Sequence, residues 1–367
     1  MKKPFLFAFV LMILGHSCKE VYNPEVDLTK AALVVEGLIT DEPGPYTVKL
    51  TKAIPYNLNA LLPETGAQVF VEDEDGTRYT FKETSPGIYS SDPNKFKTVY
   101  GKAYTLVIKT VTNKAYRSSP QILYPKGSLD TIYPVIKTSP LRTYIGGELF
   151  IQNTKGVQFV GDIVMQNDSS PYYRFSNTLL IEYTSKFAKD TTKTPNYCWM
   201  KYIPYEYLNL SERMTQATRV PQSLGFCPLD SGYYGIIKEV SVVYHGGTPD
   251  TIVVNKKLHV NIISFKQYHI NPDIYQYYKS VNDQLSARQQ ILDPVTFQSI
   301  GNITCITNPD EAALGIFEAS SVTLYTYYYL PDLSGTSITF KKMNSLDIEK
   351  LSEPDCKTTP PDFWLNL

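Results

Sequence analysis

The stretch Gln68-Val-Phe-Val-Glu-Asp-Glu-Asp-Gly-Thr-Arg-Tyr-Thr-Phe-Lys82 decides the fold of the N-terminal part of the chain. Residues 68–72 and 78–82 alternate apolar and polar side chains, which is the pattern of half-buried strands. Asp75-Gly76 between them is a dipeptide typical of tight β-hairpins. The carboxylates of residues 73–75 could instead ligate calcium, but the flanking strands favour an ordinary turn. The stretch therefore predicts a β-hairpin.

Four further short strand patterns surround this hairpin in the sequence. They cover residues 33–39, 46–51, 87–90 and 103–110. Turn residues at regular spacing, without a helical stretch, are typical of a small β-sandwich. We therefore predict a sandwich domain over residues 31–125.

Short glycine motifs in this segment resemble those of immunoglobulin-like and transthyretin-like modules of exported bacterial proteins. The motifs are Val35-Glu36-Gly37, Gly66-Ala67 before Val69 and Val71, Asp75-Gly76, and Gly87-Ile88-Tyr89. The resemblance implies a fold and no activity, because function resides in particular sites and not in a fold as such.

Residues 126–367 form the second predicted domain, which is larger and also rich in strands. Strand patterns occur at residues 149–152, 172–183, 236–244, 251–265 and 321–330. The stretch 190–229 has weak periodicity, and we interpret it as a long excursion, the kind of segment that often carries a binding site.

One packed α-helix is predicted in this second domain, near residues 272–288. Asn271-Pro272 supplies an N-cap and a proline at the first helical position. An apolar face then follows at helical spacing, formed by Ile274, Tyr277, Tyr278, Val281 and Leu285. An aromatic stripe of this kind is typical of a side that packs on a core.

The N-terminus has the pattern of a secretory signal. Two lysines precede ten apolar residues, and Cys18 follows shortly after them. The apolar run is too short for a membrane span, which needs about 17–25 residues. We therefore expect residues 1–17 to be removed and Cys18 to be lipidated, with residues 18–30 as a tether. The alternative is conventional cleavage that leaves Cys18 as an ordinary cysteine.

Lys19 and Glu20 follow the lipidated position directly. This pair resembles a weak form of the charged export signal of Bacteroidetes surface lipoproteins. It favours exposure at the cell surface, with the periplasmic face of the outer membrane as the alternative.

The composition is that of a folded and nearly neutral protein. Of the 367 residues, 43% are hydrophobic, 19% are charged and 29 are tyrosines. Such a chain can bury a real core and is unlike a disordered one. The net charge is −1, and it becomes −3 when Lys2 and Lys3 leave with the signal. No basic excess is present to attract nucleic acid.

Four cysteines follow Cys18, namely Cys198, Cys227, Cys305 and Cys356. An even number in an exported chain favours disulfides, and the spacing does not match a Cys-x-x-Cys metal site. Three pairings are possible. We favour Cys198 with Cys227 and Cys305 with Cys356, because each closes a short to moderate loop. Four buried thiols are the alternative.

The sequence lacks the common catalytic and metal-binding motifs. Three histidines lie beyond the signal, His245, His259 and His269, and they do not have the spacing of zinc ligands. No Gly-x-Ser-x-Gly elbow or phosphate-binding glycine loop occurs. We therefore predict no metal, no cofactor and no enzymatic activity.

Two other features allow two interpretations each. A set of tyrosines could form an aromatic platform for a sugar or peptide, or could simply pack: Tyr172, Tyr173, Tyr202, Tyr205 and Tyr207. Three triplets resemble Bacteroidetes O-glycosylation sites, or could equally begin strands: Asp130-Thr131-Ile132, Asp190-Thr191-Thr192 and Asp250-Thr251-Ile252.

The order of motifs along the whole chain resembles one family. After the lipoprotein signal come Val34-Val-Glu-Gly-Leu-Ile39, Gly44-Pro45-Tyr46, Tyr277-Tyr278-Lys279-Ser280, Gly301-Asn302-Ile303, Asn308-Pro309-Asp310-Glu311, Leu314-Gly315-Ile316-Phe317 and Ala319-Ser320-Ser321-Val322. This looks like the Bacteroidetes domain-of-unknown-function family 4249, over nearly all of the mature chain. The resemblance implies an outer-membrane lipoprotein encoded beside a TonB-dependent receptor, without catalytic residues. It also implies that Cys356, before Pro360-Pro361, takes part in a disulfide.

Together these observations predict a non-catalytic, lipid-anchored protein of the outer membrane. It would serve as an accessory ligand-binding or covering subunit of a TonB-dependent receptor. Its expected partners are the membrane, through the lipid, and an outer-membrane β-barrel. A stand-alone adhesin for glycans or peptides is the alternative, and an enzyme of unrecognised type is a third reading.

Overall fold

The computed structural model describes residues 32–53, 62–145, 148–164, 172–184, 197–202, 209–211, 219–228, 236–245, 248–258, 261–287, 299–331, 337–343, 346–351 and 355–357. Within these ranges the protein is mainly β, with one α-helix, which confirms the predicted fold class. That helix is not long and apolar enough to cross a membrane, and no other helix in the described ranges is.

The first part of the chain forms short strands close to the predicted positions. They are β1 Leu33–Thr40, β2 Thr47–Lys52, β3 Leu62–Pro63, β4 Gln68–Asp73, β5 Arg78–Ser85, β6 Ile88–Ser91, β7 Ala103–Lys109, β8 Ala115–Ser118 and β9 Gln121–Ile122. Neighbouring strands run in the order β1-β2-β6-β5-β4-β7-β8, with β3 on β2 and β9 on β7. They form one continuous sheet that curls around its core, whereas a sandwich has two separate sheets.

The predicted hairpin joins β4 and β5. The Asp73 backbone N–H donates to the Thr77 carbonyl at 3.0 Å, and the Gly76 N–H donates to the Asp73 carbonyl at 2.9 Å. Gly76 has φ of 81°, a left-handed conformation that glycine adopts without steric cost. Alternate residues of these strands, such as Val69 and Val71, point into the core.

The second part of the chain contributes longer strands and the helix. They are β10 Ser128–Ile145, β11 Glu148–Val164, β12 Tyr173–Thr184, β13 Tyr197–Tyr202, β14 Asn209–Ser211, β15 Arg219–Pro228, β16 Ile236–His245, β17 Thr248–Leu258, β18 Asn261–His269, α1 Pro272–Ala287, β19 Ile303–Cys305, β20 Ala313–Pro331, β21 Ile338–Lys342, the 3-10 helix Ile348–Lys350 and β22 Asp355–Lys357.

Strand β20 connects the two parts of the chain. Its first half runs parallel to β1, from the pair Leu33 and Ala313 to the pair Thr40 and Ser320, and its second half is antiparallel to β18. β19 likewise pairs with β8. Residues from the second predicted domain therefore complete the sheet of the first, and the division at residue 125 remains a prediction of the sequence.

Gly315 permits the approach of β20 to β1. Its φ is 81°, and a Cβ atom placed there would lie 2.0 Å from the Val35 carbonyl oxygen. Both observations exclude an ordinary side chain at this position.

Strand β18 is buried along its whole length. Ile263 and Phe265 on one face pack on the three-stranded sheet β10-β11-β15, where the Phe265 and Phe159 rings lie 5.3 Å apart. On the other face Tyr268 packs against Ile274 of α1. Sheets and helix thus form layers, with α1 lying beside the junction of β1 and β20.

Two details differ from the sequence prediction. The single strand predicted over residues 251–265 consists of two strands, β17 and β18. The stretch 190–229, predicted as an excursion, carries β13, β14 and β15. In β15, the consecutive residues 224–227 are all buried, a pattern that a search for alternating side chains does not detect.

The helix begins at Pro272 as predicted, but Asn271 does not act as a simple N-cap. Its side chain bonds the backbone of Ile122, donating to the carbonyl at 2.9 Å and accepting from the N–H at 3.1 Å. Asp273 Oδ2 accepts from Ser119 Oγ at 2.6 Å and from Gln121 Nε2 at 2.7 Å. These contacts hold the start of α1 against the edge of the curled sheet.

Candidate functional site

A pocket of about 800 Å³ lies between α1 and the outer face of the curled sheet; we call it the α1 pocket. Side chains of β1 alternate between the two faces of the sheet. Val35 and Ile39 are fully buried in the core, while Val34, Glu36 and Leu38 line the pocket. The volume is in the range of sites that hold drug-sized ligands.

The walls of the α1 pocket are largely apolar and aromatic. Tyr277, Tyr278 and Val281 come from the helix, and Leu314 and Ile316 come from β20. The sequence predicted this helical stripe to be core. Ile274 is fully buried, and Tyr277 and Tyr278 pack against the same core cluster, which confirms the prediction for these positions. Tyr277, Tyr278 and Val281 also line the pocket.

A buried ion pair lies at one end of the α1 pocket. Arg174 on β12 donates from Nε to both carboxylate oxygens of Glu318, at 3.2 and 3.1 Å, and from Nη2 to Oε1 at 3.0 Å. The Glu318 side chain is 1% exposed and that of Arg174 is 11% exposed. Bidentate geometry of this kind is the strongest form of a carboxylate–guanidinium contact.

Neighbouring groups satisfy and orient this pair. The Tyr278 hydroxyl donates to Glu318 at 3.1 Å, and the Ser320 hydroxyl donates at 2.6 Å. The guanidinium also stacks 3.5 Å from the centre of the Tyr268 ring, a cation–π contact. Burial by itself lowers the pKa of Arg174, but the Glu318 carboxylate and the groups around it raise the pKa above its usual value. Arg174 therefore carries its positive charge.

A second ion pair lies at the mouth of the pocket. Lys49 on β2 contacts Glu36 on β1 at 2.9 Å, with their side chains 34% and 60% exposed. Desolvation, followed by repulsion from Glu36, raises the pKa of Tyr277, so this hydroxyl stays protonated at neutral pH. Desolvation and the nearby Glu318 likewise raise the pKa of Tyr278. The pocket thus contains neutral tyrosines and two balanced charge pairs.

Sequence analysis did not single out Arg174 or Glu318. Each is a charged residue inside a strand that otherwise reads as apolar, Tyr172-Tyr173-Arg174-Phe175 and Ile316-Phe317-Glu318-Ala319. An isolated charge at such a position is the signal that could have found them, because buried charges are almost always paired.

The hairpin of β10 and β11 is a second candidate site. Eight pairs of residues, from 138 with 155 to 145 with 148, extend beyond the part that β15 covers. At about 3.3 Å per residue this arm is about 25 Å long. Phe150 and Ile151 on adjacent positions are 48% and 58% exposed, so both faces of the arm present apolar side chains. We call residues 138–145 and 148–155 the β10–β11 arm.

The tyrosines for which a platform or simple packing was open are packed where they are described. Tyr173 is buried and stacks on His269 at 4.7 Å, and Tyr172 stacks on Tyr275 at 4.5 Å. The packed interpretation is therefore right for these two. Tyr205 and Tyr207, and the side chain of Tyr202, lie outside the described residues.

The acidic turn of the first hairpin is an ordinary turn and is occupied by protein groups. Asp73 Oδ1 accepts from the Thr77 N–H at 2.9 Å, and Lys102 contacts both Asp73 and Asp75. Burial alone raises the pKa of Asp73, but bonds from Thr77 and the Tyr79 hydroxyl, with the Lys102 charge, lower it overall. In the described ranges no cluster of three metal-binding side chains occurs.

The cysteines are arranged differently from the predicted pairs. Cys305 on β19 is a buried free thiol whose Sγ lies 3.4 Å from the Thr307 hydroxyl, which contradicts its pairing with Cys356. Cys227 is buried on β15, in register with Val157. Cys198 on β13 instead stands directly opposite Cys356 on β22. The spacing argument fails because closeness along the chain does not decide which strands are neighbours.

Other predicted residues fall as follows. Cys18, Lys19, Glu20 and His259 lie outside the described residues, as does the triplet at 190–192. Asp130 and Thr131 are exposed at an irregularity near the start of β10, and residues 250–252 lie within β17. The two interpretations of the triplets thus both remain.

The fold and the site define a mainly β protein with a helix-lined pocket and a long hairpin that extends past its third strand. The sequence model of the family described as Domain of unknown function (DUF4249) matches residues 19–326, so the chain belongs to this family. Comparisons with curated proteins and with solved structures gave no significant match.

Proposed function

We propose that the protein is a non-catalytic lipoprotein of the outer membrane, anchored through Cys18 and exposed at the cell surface. It acts as an accessory subunit of a TonB-dependent receptor, docks on the receptor barrel and binds a ligand in the α1 pocket. Family membership and the lipoprotein-type N-terminus support this proposal.

The observation that carries the partnership is the β10–β11 arm. An isolated two-stranded hairpin is only marginally stable in water. Among the described residues no further strand pairs with the outer edges of the arm, and an open strand edge offers backbone groups to a partner. Phe150 and Ile151 add exposed apolar surface on its opposite faces. A partner that covers the arm would remove this surface from water, and an outer-membrane β-barrel with long loops suits an extended, two-faced element of this kind.

Co-purification from native membranes tests the proposal. Tagged wild-type protein should bring down a TonB-dependent β-barrel, and the variant Phe150→Ser/Ile151→Ser should bring down about tenfold less, because each central apolar contact in an interface contributes at least about 1 kcal/mol. Val111→Ser is the matched control, since Val111 is 65% exposed and lies outside the arm. Cys18→Ser should move the protein from the membrane to the soluble fraction.

Two results would contradict the proposal. One is a wild-type preparation from native membranes that contains no such barrel. The other is a barrel that is retained equally by the arm variant. Binding to a glycan array without any barrel partner would favour the alternative, a stand-alone adhesin, for which the tyrosine-lined wall of the α1 pocket is the relevant feature.

A further inference from the structure

The α1 pocket combines an apolar wall with charges that cancel. Val34, Leu38, Val281 and Ile316 supply aliphatic surface on three sides, from β1, α1 and β20. Burial of a ligand's apolar part against such a wall is favourable in proportion to the area removed from water. The wall therefore favours a ligand with a substantial apolar part.

The charged groups of the pocket occur only as pairs among the described lining residues. Arg174 is paired with Glu318 at 3.0 Å, and Glu36 is paired with Lys49 at 2.9 Å. Their sum is zero, so a charged ligand would lose its hydration without meeting an unpaired opposite charge. Burial of an ionised group under those conditions is strongly unfavourable.

The hydrogen-bonding groups that remain at the Arg174 end of the pocket are mainly donors. Glu318 already accepts from Arg174, Tyr278 and Ser320. Arg174 uses Nε and Nη2 for Glu318, and among the described residues nothing accepts from its Nη1. The Tyr277 hydroxyl also lines the pocket without a partner in the described ranges. Arg174 Nη1 and the Tyr277 hydroxyl thus remain for a ligand, beside the polar side chains of Thr47, Gln284 and Ser299 that also line the pocket. A guanidinium donates and does not accept, so the ligand atom at Arg174 must be an acceptor oxygen.

We propose that the α1 pocket selects an uncharged amphiphile, with an apolar part on the aliphatic wall and a carbonyl or hydroxyl oxygen at Arg174. The inference deepens the proposed function by naming the chemical class of the ligand. It rests on the ligand-binding half of that function and is independent of the docking of the arm.

Displacement of the uncharged fluorescent probe N-phenyl-1-naphthylamine from the full-length protein tests the selection. Octanamide, octanoate and octylammonium share one alkyl chain and differ in charge. At neutral pH, octanamide should displace the probe at a concentration about tenfold or more below that needed for either ion. Val281→Trp should weaken probe binding by narrowing the pocket at its apolar wall, whereas Asp283→Trp, on an exposed position of the same helix, should not.

Variants that remove one carboxylate from a charge pair of the pocket test the charge argument separately. Glu318→Gln leaves Arg174 without its carboxylate partner. The concentration of octanoate that displaces the probe, relative to that of octanamide, should therefore fall by about tenfold or more. Glu36→Gln, at a 60% exposed side chain, should shift it in the same direction by about two- to threefold without risk to folding.

Three results would overturn the inference. Octanoate or octylammonium could displace the probe from wild-type protein at the same concentration as octanamide. Glu318→Gln and Glu36→Gln could leave the ratio of the octanamide and octanoate concentrations unchanged. Val281→Trp could leave probe binding intact. In each case, co-purification of a barrel would still report on the receptor partnership, so failure of the two proposals can be distinguished.

Discussion

The substitution Arg174→Met removes the positive member of the buried pair while it keeps most of the apolar stem. Glu318 is 1% exposed and would retain only hydroxyl donors, from Tyr278 and Ser320. Leaving one charge of a buried pair uncompensated costs about 3–5 kcal/mol. The free energy of unfolding should therefore fall by about that amount.

Urea denaturation followed by far-ultraviolet circular dichroism measures this loss. The matched control is Lys49→Met, which breaks the exposed pair with Glu36, whose side chain is 60% exposed. An exposed pair contributes about 0–1 kcal/mol, so the control should remain close to wild type. In the double variant Arg174→Met/Glu318→Gln, the loss should be smaller than the sum of the single losses by about 1–3 kcal/mol, because the two side chains are in direct contact.

The reasoning fails if Arg174→Met costs less than about 1 kcal/mol, or if Lys49→Met costs as much as Arg174→Met. Strict additivity in the double variant would also refute it, since it would mean that the two side chains do not interact energetically.

The remaining predictions concern backbone conformation, pH and cysteine chemistry. Gly315→Ala should lower the free energy of unfolding, measured by heat or urea, by about 3 kcal/mol or more. Gly76→Ala, at the same φ of 81° but in open space, should lower it by about 1 kcal/mol. Equal losses in the two variants would contradict the close approach of β20 to β1. The pKa of Asp73 is lower in the folded state than in the unfolded state. The stabilisation by its carboxylate is therefore complete above the unfolded pKa of about 3.9 and is lost as the pH falls through the folded pKa. The loss of stability in Asp73→Asn should accordingly become smaller in acid, and a loss that does not change with pH would refute this reasoning. Non-reducing peptide mapping should link Cys198 to Cys356, the pair in direct register, and a link from Cys356 to any other cysteine would contradict the strand order.

Sequence reasoning succeeded where the determining interactions are local. The hairpin around Asp75-Gly76 is specified by neighbouring residues, because the alternating strands and the turn dipeptide lie within one short segment. The start of α1 is similarly specified, since Pro272 suits the first turn of a helix and the apolar spacing follows it directly. The strand pattern at residues 33–39 likewise coincides with β1, Leu33–Thr40.

Sequence reasoning did not reach the α1 pocket, because its walls come from segments that are far apart in the chain. The parallel pairing of β1 with β20 joins residues such as Leu33 and Ala313, and no local pattern encodes a register across that separation. The same is true of Arg174 and Glu318, which lie on different strands and form a pair only because β12, β18 and β20 are aligned side by side.

By itself, the sequence determined the strand-rich class, the helix at residue 272 and the turn residues of the first hairpin, since these depend on side chains close together along the chain; the lipid anchor at Cys18 stays a prediction. Only the tertiary structure decided that β20 pairs with both β1 and β18, that α1 lines a pocket in addition to packing on the core, and that Cys198 stands opposite Cys356. The physical reason is that strand neighbours and register are chosen by the joint burial of many distant residues, which no short segment specifies.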